Sequence, residues 1–339
     1  MGFTSPIRAI CVVAGLVALA ACGSAIARSP AGRDSDRAVS LGITSAGPNT
    51  DHLRQHFVSH DSCPATGSLK YVSDSNDNEI NIYVGKFAGQ APCGQIASST
   101  LNVPVGLYVQ DATHDLYVAN NFGHNISVFH RGQTSPYNTY TDPTGQFVYD
   151  VTTTPDGTVI ASNVFQYGGN ERGSISTWVG GPNGGTFVGN FPIKNAAAAT
   201  FVTSRKNGKV YFDDTDDMLG LGVVWSMMCP AGACGAQTQV AGLTLKYPGG
   251  MAFDATGDLL VNDQFADTAD TFELPNPKAS TFPLVGYPNG MATDKNNHHW
   301  FVSDGANNIA YEYSYPGGKL VGSVPGNAGG STIGIAVDP

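Results

Sequence analysis

The chain has 339 residues, with 17 Lys and Arg against 27 Asp and Glu and a formal net charge of −10. It has no basic run, so it lacks the cations that neutralise phosphates, and this argues against nucleic acid as a partner. Only 13% of residues are charged, against about 25% in an average soluble domain, while Gly (42), Tyr (14) and Phe (16) are plentiful, the balance of a tightly turned all-β domain.

The N-terminus reads as a targeting segment. Arg8 precedes an apolar run, Ala9 to Ala21, that falls short of the roughly 20 residues a spanning helix needs. Leu19-Ala20-Ala21-Cys22 resembles a bacterial lipobox, which implies a signal peptide over residues 1–21 and lipidation of Cys22. The other reading is a secretory signal cut after Ala25-Ile26-Ala27, and both readings export the protein. The expected location is therefore the bacterial envelope, held to the membrane through the N-terminal lipid, or the exterior if the cut follows Ala27. Residues 22–60 read as a flexible tether. Asp51 to His60 is expected to form one or two helical turns, with His52, His56 and His60 on one polar face.

Beyond the targeting segment four cysteines remain: Cys63, Cys93, Cys229 and Cys234. An even number in an exported chain points to disulfides. Of the three connectivities, the short loop Cys229-Pro-Ala-Gly-Ala-Cys234 favours a local bridge and leaves Cys63 to Cys93.

Residues 61–339 repeat one β-strand unit six times. Each unit contains a short apolar run ending in Asp or Asn, at Asp74, Asn120, Asn163, Asp214, Asp263 and Asp304; successive anchors lie 46, 43, 51, 49 and 41 residues apart. A period of 40–50 residues with several short strands is that of a propeller blade. Strand a opens after a glycine in four units: Gly106, Gly250, Gly290 and Gly334. Strand b is the anchor run. Strand c is read at Ile80 to Val84, Ile126 to Phe129, Ser174 to Trp178, Val223 to Met227, Thr271 to Leu274 and Ile309 to Tyr313. Strand d is the least regular, as befits an exposed edge. The repeat region begins with a strand b and ends with a strand a, so Gly334 to Asp338 is expected to complete the first blade. The fold class is thus all-β: a six-bladed propeller of four-stranded blades, closed by its C-terminal strand.

The unit Gly-Ile-Ala-Val-Asp at Gly334 to Asp338, with Leu-Tyr-Val-Ala-Asn at Leu116 to Asn120 and Asn-Ile-Ser-Val-Phe at Asn125 to Phe129, resembles the NHL repeat. Its relatives among six-bladed propellers include gluconolactonase-like and streptogramin-lyase-like proteins. The resemblance covers roughly residues 69–339 and implies architecture more than activity, because such propellers include binders, lactonases and lyases. The lyase-like relatives use histidine with a metal, and the resemblance does not carry their catalytic residues onto positions of this sequence.

Alternating strand direction gathers the six anchors on one face, at the start of strand a. A ring of carboxylates and amides there can hold Ca²⁺ or another divalent cation through oxygen. Equally, Asp and Asn cap b–c turns, and a residue repeated at every blade is explained by capping alone. Departures from the repeat are the sharper clues. Asp150 stands where four units have glycine, and blade 4 carries Asp213, Asp214, Asp216 and Asp217. The candidate metal donors are Asp150 and Asp214, supported by Asn163 and Asn120. Blade 1 has Asp74, Asp77 and Glu79 without EF-hand spacing. His124 is a candidate general acid or base in a b–c loop, and Tyr247 and Tyr287 are candidate aromatic rims. Gly-x-Ser-x-Gly, His-Glu-x-x-His and P-loop motifs do not occur. The sequence therefore points to a monomeric binding module for a small molecule or an envelope protein. Its rival is a metal-dependent lactonase-like hydrolase or streptogramin-lyase-like enzyme, for which no catalytic set stands out.

Overall fold

The computed structural model describes residues 63–166, 173–181, 184–193, 199–216, 221–243, 245–274 and 279–338. The lipobox, the tether, His52, His56, His60 and Asp217 lie outside the described residues. Six four-stranded antiparallel sheets form the protein. Blade 1 holds β1 (Leu69–Asp74), β2 (Glu79–Val84) and β3 (Gly94–Ile96); blade 2 holds β4 (Pro104–Gln110), β5 (Asp115–Asn120), β6 (Asn125–Phe129) and β7 (Asn138–Thr141). Blade 3 holds β8 (Gln146–Thr153), β9 (Val159–Gln166), β10 (Ser174–Val179) and β11 (Thr186–Pro192), and blade 4 β12 (Val202–Ser204), β13 (Lys209–Asp216), β14 (Leu221–Met228) and β15 (Thr238–Gln239). Blade 5 holds β16 (Pro248–Phe253), β17 (Leu259–Asp263), β18 (Thr268–Phe272) and β19 (Ala279–Pro283), and blade 6 β20 (Pro288–Thr293), β21 (His299–Asp304), β22 (Ile309–Ser314) and β23 (Leu320–Pro325). The last strand, β24 (Thr332–Asp338), joins blade 1 in the order β24-β1-β2-β3. It pairs Leu69 with Asp338 and Val72 with Ile335, as the order of strands along the chain predicts. This removes the open edge that an unclosed ring would expose.

Local chemistry explains the hairpins. The b–c turns place Asn78, His124, Asp267 and Asn308 at φ of 52–56°, a left-handed conformation in which Asn, Asp and His are the enriched non-glycine residues. Strands b are buried on both faces, as β1 and β5 show throughout their length, because each blade packs between two neighbours. Every junction has its own apolar cluster. Val72, Phe301, Ala310 and Ile335 fill the seam between blades 6 and 1, and Leu69, Leu107, Leu116 and Ala336 that between blades 1 and 2.

The structure moves one expected strand. The third strand of blade 5 is Thr268–Phe272, three residues ahead of the Thr271 to Leu274 read from the sequence. Asp270 looks like a loop residue, yet it sits opposite Val261 and its carboxylate accepts the Thr281 hydroxyl at 2.6 Å. That bond makes a charged residue tolerable inside a strand. Outer strands vary most: β3 has three residues and β15 two. Cys63 is bonded to Cys93 and Cys229 to Cys234. Two disulfides are the usage of an oxidising compartment. Among the described residues no helix is long and apolar enough to cross a membrane.

A hydroxyl relay stitches neighbouring blades. Inner strands slip register at their glycine, between Pro288 and Met291 in β20 for example, which takes the glycine N–H off the ladder. In blade 6 the Gly290 N–H donates to Ser303 Oγ at 2.8 Å, and the Ser303 hydroxyl donates onward to the Ile333 carbonyl of β24. In blade 1 Gly334 N–H donates to Ser73 Oγ (2.7 Å), which donates to Val105 O of blade 2 (2.9 Å). In blade 3 Asp150 N–H donates to Ser162 Oγ (3.2 Å), which donates to Thr200 O of blade 4 (2.9 Å). Each serine is fully buried. Removing one hydroxyl strands a buried donor and a buried acceptor together, at about 1–3 kcal/mol. Ser303→Ala is therefore expected to lower the denaturation midpoint without changing the urea m-value; an unchanged midpoint would show that the relay carries no stability.

Candidate functional site

The inner strands converge at the level of the register slip. A Cβ on Gly334 would fall 1.9 Å from Val105 O, on Gly290 2.6 Å from Ile333 O, and on Gly250 2.4 Å from Asn289 O. Only glycine allows backbones this close, and together these contacts draw the strands into a floor across the propeller axis. On the anchor side of that floor Val105, Phe147, Tyr149, Phe201 and Ile333 belong to one buried cluster. On the other side the strands diverge around a cavity of about 1000 Å³ that reaches the a–b turns. The sequence placed the candidate mouth at the start of strand a. The accessible space instead runs from there towards the opposite face, because the anchor side is filled by aromatic and branched side chains.

Asp150 and Phe201 take the two floor positions that lack glycine. The Asp150 Oδ2 accepts the Val202 N–H of blade 4 at 3.1 Å. Its Oδ1 lies against Gly106, where a Cβ would fall 2.1 Å away, so Gly106 is small because the carboxyl fills its place. Asp150 is 9% exposed. Burial pushes its carboxyl up to about 8, against the opposing pull of the Val202 and Val151 N–H groups, with Asp213 adding a smaller push in the same direction. Asp213, fully buried beneath the floor, is pushed by burial to about 7. Its oxygens accept the N–H groups of Thr200 (2.8 Å) and Phe201 (2.6 Å) and the Thr200 hydroxyl.

The walls divide by chemistry. Blades 2 to 4 contribute Tyr108, Thr152, Thr153 and Ser204, whose hydroxyls are linked: Thr153 Oγ1 donates to Tyr108 Oη at 3.2 Å, and Thr152 and Ser204 meet at 3.2 Å. Opposite them stand Met251, Met291, Ile335 and Ala336. Near the rim the Arg205 guanidinium lies 5.9 Å over the Phe253 ring. A ligand with one hydrogen-bonding face and one apolar face fits such a cup.

The other expected donors do not face this cavity. Asn120 Nδ2 donates to Asn125 Oδ1 (2.8 Å) and Ser127 Oγ (2.9 Å), and Asn163 Nδ2 to Ser174 and Ser176 Oγ at 3.0 and 2.8 Å. Asp214 Oδ2 accepts the Trp225 indole N–H at 2.9 Å. Each thus braces the b–c hairpin of its own blade. His124 holds a turn, its Nδ1 2.9 Å from Gln146 O. Tyr247 and Tyr287 are buried around Phe265 rather than forming rims, because their N–H groups are pinned by Asp263 and Asp304. Among the described residues the carboxylates that converge are Asp74, Asp77 and Glu79, with oxygens within 4.8 Å of one another. Burial raises Asp74 to about 6 and Glu79 to about 7, with mutual repulsion adding to it, while Asp74 also accepts the Ser331 N–H at 3.1 Å.

Sequence reasoning named Asp213 only as a member of the blade 4 acidic cluster, and it missed the serine relay. The signal was present: Ser73, Ser162 and Ser303 each immediately precede an anchor.

No family model matches the chain, and no curated protein matches its sequence. Solved structures do match in fold. A chain of the nidogen/laminin complex has a TM-score of 0.61 at 13% identity, covering 80% of this chain and 99% of that one. A catalytically inactive virginiamycin B lyase from Staphylococcus aureus with quinupristin has a TM-score of 0.54 at 11% identity, covering 77% and 82%. A luciferin-regenerating enzyme has a TM-score of 0.51 at 12% identity, covering 68% and 78%. At these identities the shared property is the propeller itself, which occurs in a protein complex as readily as in an enzyme.

Proposed function

We propose that this protein is an exported, lipid-anchored propeller of the bacterial envelope that binds a small molecule in its axial cavity. The observation that carries the reading is the cup of about 1000 Å³, floored by glycine contacts and walled by hydroxyls on one side and methionine, isoleucine and alanine on the other. Its size and mixed lining are those of a site for a drug-sized ligand. Export is supported by the lipobox-like Leu19 to Cys22 and by the two disulfides.

The rival enzymatic reading, a metal-dependent hydrolase or lyase, is favoured by one observation: a buried carboxyl, Asp150, perturbed upward at the base of a cavity. A fragment screen by saturation-transfer NMR distinguishes the readings. Hits are expected whose signals vanish in Ala292→Trp, which fills the cup from blade 6. Hits indifferent to that substitution would defeat the cup as the ligand seat. A rise in Tm with Ca²⁺, Mg²⁺ or Zn²⁺ that Asp150→Ala abolishes would place the metal-dependent reading ahead.

A further inference from the structure

A second hollow, of about 250 Å³, opens at the seam between blades 6 and 1 and is lined by Lys70, Lys86, Lys295, His299, Phe301 and Glu312. Lys70 is the unusual member. It sits in β1, is 7% exposed, donates from Nζ to Gly85 O at 2.6 Å, and lies 5.6 Å over the Phe301 ring. Burial lowers its pKa from the ordinary lysine range, although Glu312 and Asp294 pull the other way.

His299 lines the same hollow. Glu312, 2% exposed, accepts the Phe87 N–H through Oε2 at 2.6 Å. Its Oε1 lies 3.0 Å from His299 Nδ1, an ion-pair contact outside hydrogen-bond geometry. Lys86 and Lys295 are exposed cations on the hollow's edge. Glu312 and Asp294 are the acids that line the hollow, and Lys86 and Lys295 on its edge are the cations that an anionic group would meet. The volume corresponds to roughly eight waters' share of liquid, so its occupant is small.

From this arrangement we infer that the hollow is a Schiff-base site for a small carbonyl compound bearing an anionic group, with Lys70 as nucleophile and His299 as proton carrier. This goes beyond the axial-cavity reading and uses a different cavity. The neutral Lys70 amine attacks the carbonyl carbon, and the new C–N bond forms as the C=O π pair moves to oxygen. His299 supplies a proton. Loss of the former carbonyl oxygen as water, with one amine proton and the one from His299, leaves a protonated imine. That imine keeps one N–H for the Gly85 carbonyl. No oxidant or reductant enters the step. A desolvated lysine beside an acid–base group is the arrangement that such chemistry needs.

Glyoxylate is the probe, with cyanoborohydride to trap the imine as carboxymethyl-lysine on the full chain at pH 7, read by peptide mass spectrometry. Burial favours the neutral form of the Lys70 amine, so Lys70 is expected to label faster than the exposed Lys86 and Lys295. His299→Asn should slow Lys70 labelling and leave Lys86 unchanged. Lys70→Arg, which keeps a donor for Gly85 O, should remove that label while the melt stays near the parent's. Glycolaldehyde, without the carboxylate, should react more slowly at Lys70. Labelling that simply follows exposure, with Lys70 last, overturns the inference. So does Lys70 labelling that is indifferent to His299→Asn, or equal at Lys70 for the two aldehydes.

Discussion

Gly334→Ala should cost about 3 kcal/mol or more and lower Tm by roughly 10 °C, because it drives a methyl group into backbone. The added Cβ would lie 1.9 Å from the Val105 carbonyl and 3.1 Å from the Leu107 side chain. The carbonyl cannot retreat, since it accepts the Ser73 hydroxyl that bridges the same two blades. Any shift of β24 also disturbs its pairing with β1, which closes the ring. Gly317→Ala is the control: its Cβ would meet only Ser314 Oγ at 3.6 Å, an ordinary contact. Thermal melts of the two variants decide the matter. Equal, small shifts would show that the floor is not pinched as described.

Stability should fall as pH rises from about 4 to about 8. Unfolded carboxyls ionise near pH 4. Folded Asp150 and Asp213 hold their protons until about 8 and about 7. Between those limits the native state binds more protons than the unfolded state, so raising the pH draws the equilibrium towards unfolding. The contribution of these groups is complete below the unfolded pKa and is lost as pH passes through the folded values. Asp150→Asn replaces the group with a neutral one that still offers an oxygen to the Val202 N–H. It should raise Tm at pH 8 and flatten the pH slope, while changing little near pH 4. A variant with the parent's slope, or one less stable than the parent at pH 8, would refute the assignment of that titration to Asp150.

The repeat made the blades legible because its signals are local. Apolar runs two or three residues past a turn, Gly or Asn where φ must be positive, and anchors 41 to 51 residues apart each follow from hairpin geometry. The displaced strand of blade 5 shows where this stops. Asp270 lies in a strand because Thr281, eleven residues on, satisfies its carboxylate, and composition alone does not reveal that partner. The four expected metal donors fail to share a cavity for a similar reason. Asn120, Asn163 and Asp214 look alike as turn-end polar residues, yet each finds a hairpin partner in its own blade. Asp150 reaches beyond its own hairpin to the Val202 N–H of blade 4.

By itself the sequence determined the all-β class, the six units, closure by Gly334 to Asp338 and the Cys63–Cys93 and Cys229–Cys234 pairing, all properties of spacing along one chain. Tertiary structure alone decided which end of the axis is filled and which is open. It also decided that Asp213 rather than Asp214 secures the start of the inner strand in blade 4, and that Lys70 is buried beside a Glu312–His299 pair. These depend on how closely neighbouring inner strands approach and on which groups lose water where they meet. Such distances are set between blades some forty to fifty residues apart in the chain, where periodicity carries no information about contact.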